Sequence, residues 1–318
     1  MMNYESFKKE VSERFLEFFP ETYQDAQVEI LKTDKINCEL DGLHIRLSES
    51  GIYPVIYVND MYEEYCSTKE PDFDAVVRKC ADSYISAIKQ VGQTTAESLN
   101  ITNPNYAKDR VFFYVVNTEQ NREMVMGMPH REFKDLSIVY RILVREDKDE
   151  IVSTPVTNAL AEKLGFDEAE LFELAAQNTR TLFPPVTKTV KEVVKEESIK
   201  MGVPEEIIEI TLQSFSDALY FIGNSKGIYG AAVMLYEYIL HDLATQLESD
   251  LYILPSSINE VLAISSDNLS PYDLAEMVSD INSESVETEQ RLSNQVYYYD
   301  RNLRKVSLAT DTPNKSLI

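Results

Sequence analysis

Leu219–Ile264 reads LYFIGNSKGIYGAAVMLYEYILHDLATQLESDLYILPSSINEVLAI, and in it apolar strands, a glycine turn, an amphipathic helix and a serine-bearing loop follow without a gap. Short apolar runs bounded by Gly, Asn, Ser and Pro are the pattern of buried strands. The order of elements is therefore expected to run through strands at Ala218–Ile222 and Ala231–Val233, a helix at Tyr236–Leu247, and strands at Leu251–Leu254 and Glu260–Ile264. That is the centre of an α+β domain. Gly223-Asn224-Ser225-Lys226-Gly227 reads as a hairpin turn, since Gly and Asn accept positive φ and the P-loop spacing of glycines, Lys and Ser/Thr is missing.

Working outward, helix Pro271–Asn282 is expected to carry Leu274, Met277, Val278 and Ile281 on one face, and Gln295–Leu308 a hairpin turned at Asn302. At the other end Tyr4, Phe7, Val11, Phe15 and Phe18 recur at helical spacing until Pro20 stops the run. Strands follow at Val28–Lys32, Ile36–Leu40 and Leu43–Leu47, the last two joined by Asp41-Gly42, a strong hairpin signal. After a short apolar run at Pro54–Val58, Asp72–Val91 has helical spacing with Asp72 or Asp74 as its cap. Runs at Val111–Asn117 and Leu136–Val144 are continuous enough in apolar residues to be buried on both faces, and are expected to extend the same sheet. Helices are expected at Thr157–Leu164, Asp167–Asn178, Val186–Met201 and Glu205–Ile210, and a frayed tail at Thr310–Ile318.

The 318 residues, 44% of them hydrophobic, suffice for one large core or two medium ones, since domains usually run to ~100–200 residues. Two lobes are expected, each a small, mostly antiparallel sheet packed with helices. The polar run REDKDE at Arg145–Glu150 sets the boundary: residues 1–150 form an N-terminal α+β lobe, 151–290 a helical region and C-terminal α+β lobe, and 291–318 a hairpin and tail. Acidic side chains number 54 against 30 basic ones, for a formal charge of -24, which opposes nucleic acid and anionic membrane. Cys38, Cys66 and Cys80 are odd in number and lack paired spacings, so reduced thiols in the cytoplasm are expected. The N-terminus has no uninterrupted apolar core of a signal peptide, and no stretch approaches the ~20 apolar residues of a membrane span.

MPHREFKDLSIVYRILV at Met128–Val144, LYILPSSINEVLAI at Leu251–Ile264 and VYYYDRN at Val296–Asn302 resemble the pattern of the bacterial DUF5688 family. VTNALAEKLGF at Val156–Phe166 and LAAQNTRTLFP at Leu174–Pro184 are similar too. The resemblance covers most of the chain and implies a whole-chain module without implying a reaction. Family members often show His where this chain has Asn259, and Asn cannot transfer protons.

Among residues able to carry chemistry, His130 stands out in Pro129-His130-Arg131, at the entry to an apolar strand, with Asp135 near enough in sequence to orient it. The structural alternative is a histidine satisfied by backbone carbonyls. His44 and His241 read as surface or half-buried side chains. Met124, Met126, Met128 and His130 would share one face of an extended strand, a soft-ligand array suited to copper(I), but Gly127 and Pro129 interrupt it, and no metal or cofactor is expected. Ser256 and Ser257 lack the Gly-x-Ser-x-Gly elbow and are expected to bond loop backbone, and Glu260 could pair with a base as easily as act on substrate. The mixed-sign run Lys188–Lys200 is a solvated face.

The combined expectation is a non-enzymatic module binding a protein or small molecule, with His130, Arg131, Asp135, Ser256, Ser257 and Glu260 as the candidate binding residues. Its groove is expected between Met128–Arg131 and Leu254–Ser257, and 19 tyrosines suit contact surfaces. The alternative is a hydrolase using His130 with Asp135, or Ser256 with Glu260.

Overall fold

The computed structural model describes residues 1–23, 25–46, 54–67, 69–147 and 151–311, with the side chains of 90–99 excepted. Expectations touching Leu47, the Val91 side chain, Lys148–Glu150 and Thr312–Ile318 lie outside the described residues. The fold is α+β, with antiparallel sheets packed by helices, and it divides into two compact units, Met1–Ile101 and Thr102–Ile318.

In the first unit, helix α1 (Tyr4–Arg14) starts where Asn3 accepts a hydrogen bond from the Ser6 amide, and a 3-10 turn at Phe15–Phe18 carries the chain to Pro20. Strands β1 (Gln27–Lys35), β2 (Cys38–Arg46) and β3 (Ile56–Tyr57) form an antiparallel sheet, followed by helices α2 (Val58–Ser67) and α3 (Phe73–Ser98). The hairpin turn differs from expectation. Asn37 takes φ 63 and turns the chain between Lys35 and Cys38, while Asp41-Gly42 lies inside β2 opposite Lys32 and Leu31. Asn tolerates the left-handed region, and Asp41 is held in the strand by Tyr4, Lys8 and Lys32. Asp72 caps α3 by accepting from the Ala75 amide, as expected. The core is aromatic: the Phe7 ring lies 5.1–5.3 Å from those of Tyr62, Tyr65 and Phe73.

The second unit begins with α4 (Pro104–Lys108), β4 (Val111–Asn117), α5 (Arg122–Met126), β5 (His130–Phe133), β6 (Leu136–Glu146) and β7 (Ile151–Pro155). Strand β6 pairs with β4 on one side and with β5 and β7 on the other, in a sheet separate from that of the first unit. Every residue of β4 is buried, which is why its apolar run does not alternate. The polar run at Arg145–Glu150 joins two paired strands, with Glu146 opposite Ile151, and the division between units falls at residue 101 instead. A change of composition marks solvent exposure, and hairpin loops are as exposed as linkers.

Helices α6 (Asn158–Leu164) and α7 (Glu168–Leu182) are capped by Thr157 and Asp167. The expected Val186–Met201 helix divides into β8 (Pro185–Thr189) and α8 (Val190–Lys200). Its break is Thr189, whose side chain and that of Glu192 form a reciprocal capping box. After α9 (Glu205–Leu212) come β9 (Leu219–Asn224), a 3-10 helix at Gly230–Leu235 in place of the expected strand, α10 (Glu237–Gln246), β10 (Leu251–Leu254), β11 (Val261–Ser265), α11 (Pro271–Glu284), β12 (Tyr297–Asp300) and β13 (Lys305–Leu308). The six-stranded antiparallel order is β13-β12-β10-β11-β9-β8. Hence β12 and β13, expected as a C-terminal appendage, extend this sheet through β10. The Gly223–Gly227 turn is held by Asn224, whose Oδ1 accepts from the Lys226 and Gly227 amides, but it leads into the 3-10 helix and closes no hairpin. A Cβ on Gly230 would lie 2.2 Å from the Asn259 carbonyl, so only glycine permits this close approach. On α11 the buried side chains are Ala275, Val278 and Asn282; Met277 and Ile281 are exposed.

Candidate functional site

Two hairpin tips build the site. Phe133 pairs with Leu136, leaving Lys134 and Asp135 as the turn, and Lys134 takes φ 60. Asp300 pairs with Lys305 around Arg301–Arg304, its Oδ1 accepting from the Asn302 and Leu303 amides at 2.8 Å, and Arg304 takes φ 52. A left-handed backbone costs a residue with a side chain about 1–2 kcal/mol, so glycine or asparagine would suit both places better. Both instead carry cations, and both cations line one pocket.

The pocket has a volume of about 380 Å³. Phe133, Ile138, Phe172, Leu235, Leu240 and Val306 give it apolar walls, and Arg131, Lys134, Arg304 and Lys305 bring positive charge, against Glu132 and Glu237. Arg131 is fixed by two hydrogen bonds to Glu168, 3.0 Å from Nε and 2.9 Å from Nη2, and its guanidinium lies 3.8 Å from the centre of the Phe172 ring. Tyr140 donates to the same carboxylate at 2.6 Å. Burial raises the Glu168 pKa, but the bonds from Arg131 and Tyr140 outweigh it and hold the group below its ordinary value.

Arg304 lies 3.3 Å from Glu237 and 2.9 Å from His241 Nε2. A guanidinium can only donate, so His241 Nε2 accepts and its proton sits on Nδ1, a buried atom without a hydrogen-bond partner. Tyr299, also lining the pocket, is 1% exposed, and its hydroxyl, like His241 Nδ1, has no partner among the described residues. An unsatisfied buried hydroxyl costs about 1–3 kcal/mol. Burial raises the Tyr299 pKa, Glu237 adds to the shift and Arg304 opposes it, which keeps the phenol protonated and a donor. Lys134 and Lys305 form no ion pair among the described residues.

Of the residues singled out from sequence, Arg131 lines this pocket. His130 is exposed and donates from Nδ1 to the Met128 carbonyl at 2.9 Å, the backbone-satisfied arrangement. Asp135 lies in the turn beyond the other end of the strand, five residues on from His130 at ~3.3 Å per residue, and accepts from Ser293 Oγ and Tyr297 Oη, each at 2.5 Å. It ties the β5–β6 tip to β12. Ser256 is half-buried, and its carbonyl accepts from the Leu292 amide. Ser257 is 4% exposed, its Oγ accepts from the Asn259 amide, and its backbone bridges to Arg291. Glu260 contacts Ser257; burial pushes its pKa up and the serine bond only partly opposes this. Asn259 Oδ1 accepts from the Tyr229 amide at 3.1 Å, so the position is structural here. The four-residue array from Met124 to His130 does not form, because Arg122–Met126 is helical and Met126 is 72% exposed. No group of three or more His, Cys, Asp or Glu among the described residues could hold a metal.

Sequence reasoning missed Phe172, Leu240, Tyr299 and Arg304, which only the tertiary fold brings together. One signal was available: a two-residue hairpin turn at Lys134-Asp135 with no glycine or asparagine. A model of the family described as a family of unknown function (DUF5688) matches residues 4–301. The chain belongs to this family. No curated protein and no solved structure matches it. For this DUF5688 chain, function is therefore argued from the pocket. No helix among the described residues is long and apolar enough to cross a membrane.

Proposed function

We propose that this DUF5688 chain is a non-enzymatic, cytoplasmic binding module and that the pocket of the second unit is its ligand site. The observation that carries the reading is the combination in one 380 Å³ cavity of apolar walls and four cationic side chains. Small-molecule sites are concave, mostly apolar and supplied with a few polar groups that orient the ligand. His130, Asp135, Ser256, Ser257 and Glu260, expected from sequence as binding residues, are not among the residues that line it. The odd number of cysteines and the lack of paired spacings among Cys38, Cys66 and Cys80 suit a reducing compartment.

The hydrolase alternative pairs His130 with Asp135 or Ser256 with Glu260, and the one observation in its favour is the raised pKa of Glu260. Against it, the serine that Glu260 contacts is Ser257, which is buried and whose Oγ already accepts a backbone hydrogen bond. A thermal-shift screen of small metabolites against the wild-type chain and Val306→Trp, which fills the pocket from β13, tests the binding reading. A compound that raises the melting temperature of the wild type alone supports it. Shifts of equal size in both proteins, or none in either, would refute it.

A further inference from the structure

On the reading that this pocket is a ligand site, we infer that its ligand is a small organic monoanion: one carboxylate carried on an aliphatic or aromatic body. Three observations converge on that class. Four cations against two carboxylates line the pocket in a chain whose formal charge is -24, so positive potential is concentrated where the rest of the sequence opposes it. Arg131 and Arg304 are engaged by Glu168 and Glu237, whereas Lys134 and Lys305 have no ion pair among the described residues and are free to meet an anion. Phe133, Phe172, Leu240 and Val306 give the pocket apolar walls that suit the body of such an ion.

Glu132 and Glu237 set the charge of the ligand. Two carboxylates in the lining repel a dianion such as a phosphate monoester more than a monoanion, while the apolar walls reward a body that leaves water. Phe133, Phe172 and Leu240 offer such a body both ring and aliphatic surface. The strained backbones of Lys134 and Arg304 fit the same picture, because strain at two hairpin tips persists where it aims side chains at a site.

Isothermal titration of the full chain with decanoate, 1-decanol, acetate and decyl phosphate at pH 7.5 tests the inference. Decanoate is expected to bind, to weaken with added salt, and to lose about tenfold in affinity in the Lys134→Gln/Lys305→Gln double variant. Both lysines are exposed, so the double variant should fold as the wild type does. Acetate and decanol are expected to bind more weakly than decanoate, and decyl phosphate no better. Decanol binding as well as decanoate, with the affinity of both lost in Val306→Trp, would overturn the anion inference and leave the pocket as a ligand site. Decyl phosphate binding more tightly would overturn the monoanion assignment alone. Decanoate binding unchanged in Val306→Trp would overturn both readings.

Discussion

The two compact units treat buried polar groups in opposite ways. In the first, the 4%-exposed Asp41 has a full set of partners: Tyr4 donates at 2.7 Å, Lys8 and Lys32 each lie 3.3 Å away, and the Asp41 amide donates to Asn59. In the second, the Tyr299 hydroxyl and His241 Nδ1 are buried without partners, and Glu260 contacts a serine without a cation. The Asp41 cluster is complete without a ligand, as a structural centre is. Leaving groups unsatisfied costs stability, and among the described residues that cost falls in the second unit.

The sharpest way to break the contrast is Asp41→Ala, which strands the Tyr4 hydroxyl and leaves Lys8 and Lys32 only their contacts with Glu5 and Glu39. It is expected to destabilise the first unit by about 2–3 kcal/mol, read as faster amide exchange in β1 and β2 with exchange in the six-stranded sheet unchanged. Burial alone would raise the Asp41 pKa, but bonds from Tyr4, Lys8 and Lys32 hold it below its ordinary value. The unfolded chain therefore binds the proton first as pH falls. The advantage of wild type over variant is full at neutral pH and is lost as pH drops below about 4. A difference that stayed constant down to acid pH would show that the charge of Asp41 contributes nothing.

Glu260→Gln is the opposite experiment, with a smaller effect. Burial raises the Glu260 pKa, so the folded protein holds the proton at a pH where the unfolded chain has released it. Ionisation then costs stability as pH rises above the ordinary carboxylate range, and the variant avoids that cost. It is expected to unfold about 1 kcal/mol harder than the wild type at neutral pH, with the gain fading as the pH approaches 4. A variant less stable at pH 7 would assign Glu260 a charged partner that stabilises its ionised form.

What could be read in the sequence follows from the range of the forces involved. Periodicity and capping are local, so α1, α6 and α7, the Asp72 cap of α3, the buried runs of β4 and β6, and the β12–β13 hairpin were all legible. The Asp41-Gly42 signal failed because a tertiary cluster holds Asp41 in a strand, and Thr189 divided an expected helix because a capping box competes with apolar spacing. Arg131 was named as a site residue for its place beside His130, yet it enters the pocket through Glu168 and Phe172, each more than thirty residues away. Tyr299 was legible only as one of three tyrosines in a strand. Register against β10 and β13 decides that Tyr297 and Tyr299 turn inward while Tyr298 reaches Asp250, and no single-strand pattern contains that information.

Tyr299→Phe sharpens the comparison at its weakest point. Tyr298 donates to Asp250, and that bond together with burial pushes its pKa up to about 12. Removing its hydroxyl deletes a charge-assisted hydrogen bond. Tyr299 has no such bond, so replacing it by Phe deletes only the desolvation of an unpaired group. Tyr299→Phe is therefore expected to melt at or slightly above the wild type, within about 1 kcal/mol, whereas Tyr298→Phe is destabilised by about 1–2 kcal/mol. Differential scanning calorimetry of the two variants without ligand decides the point. Equal losses in both would mean that the Tyr299 hydroxyl is already satisfied in the free protein, and the contrast between the two neighbouring tyrosines would fail.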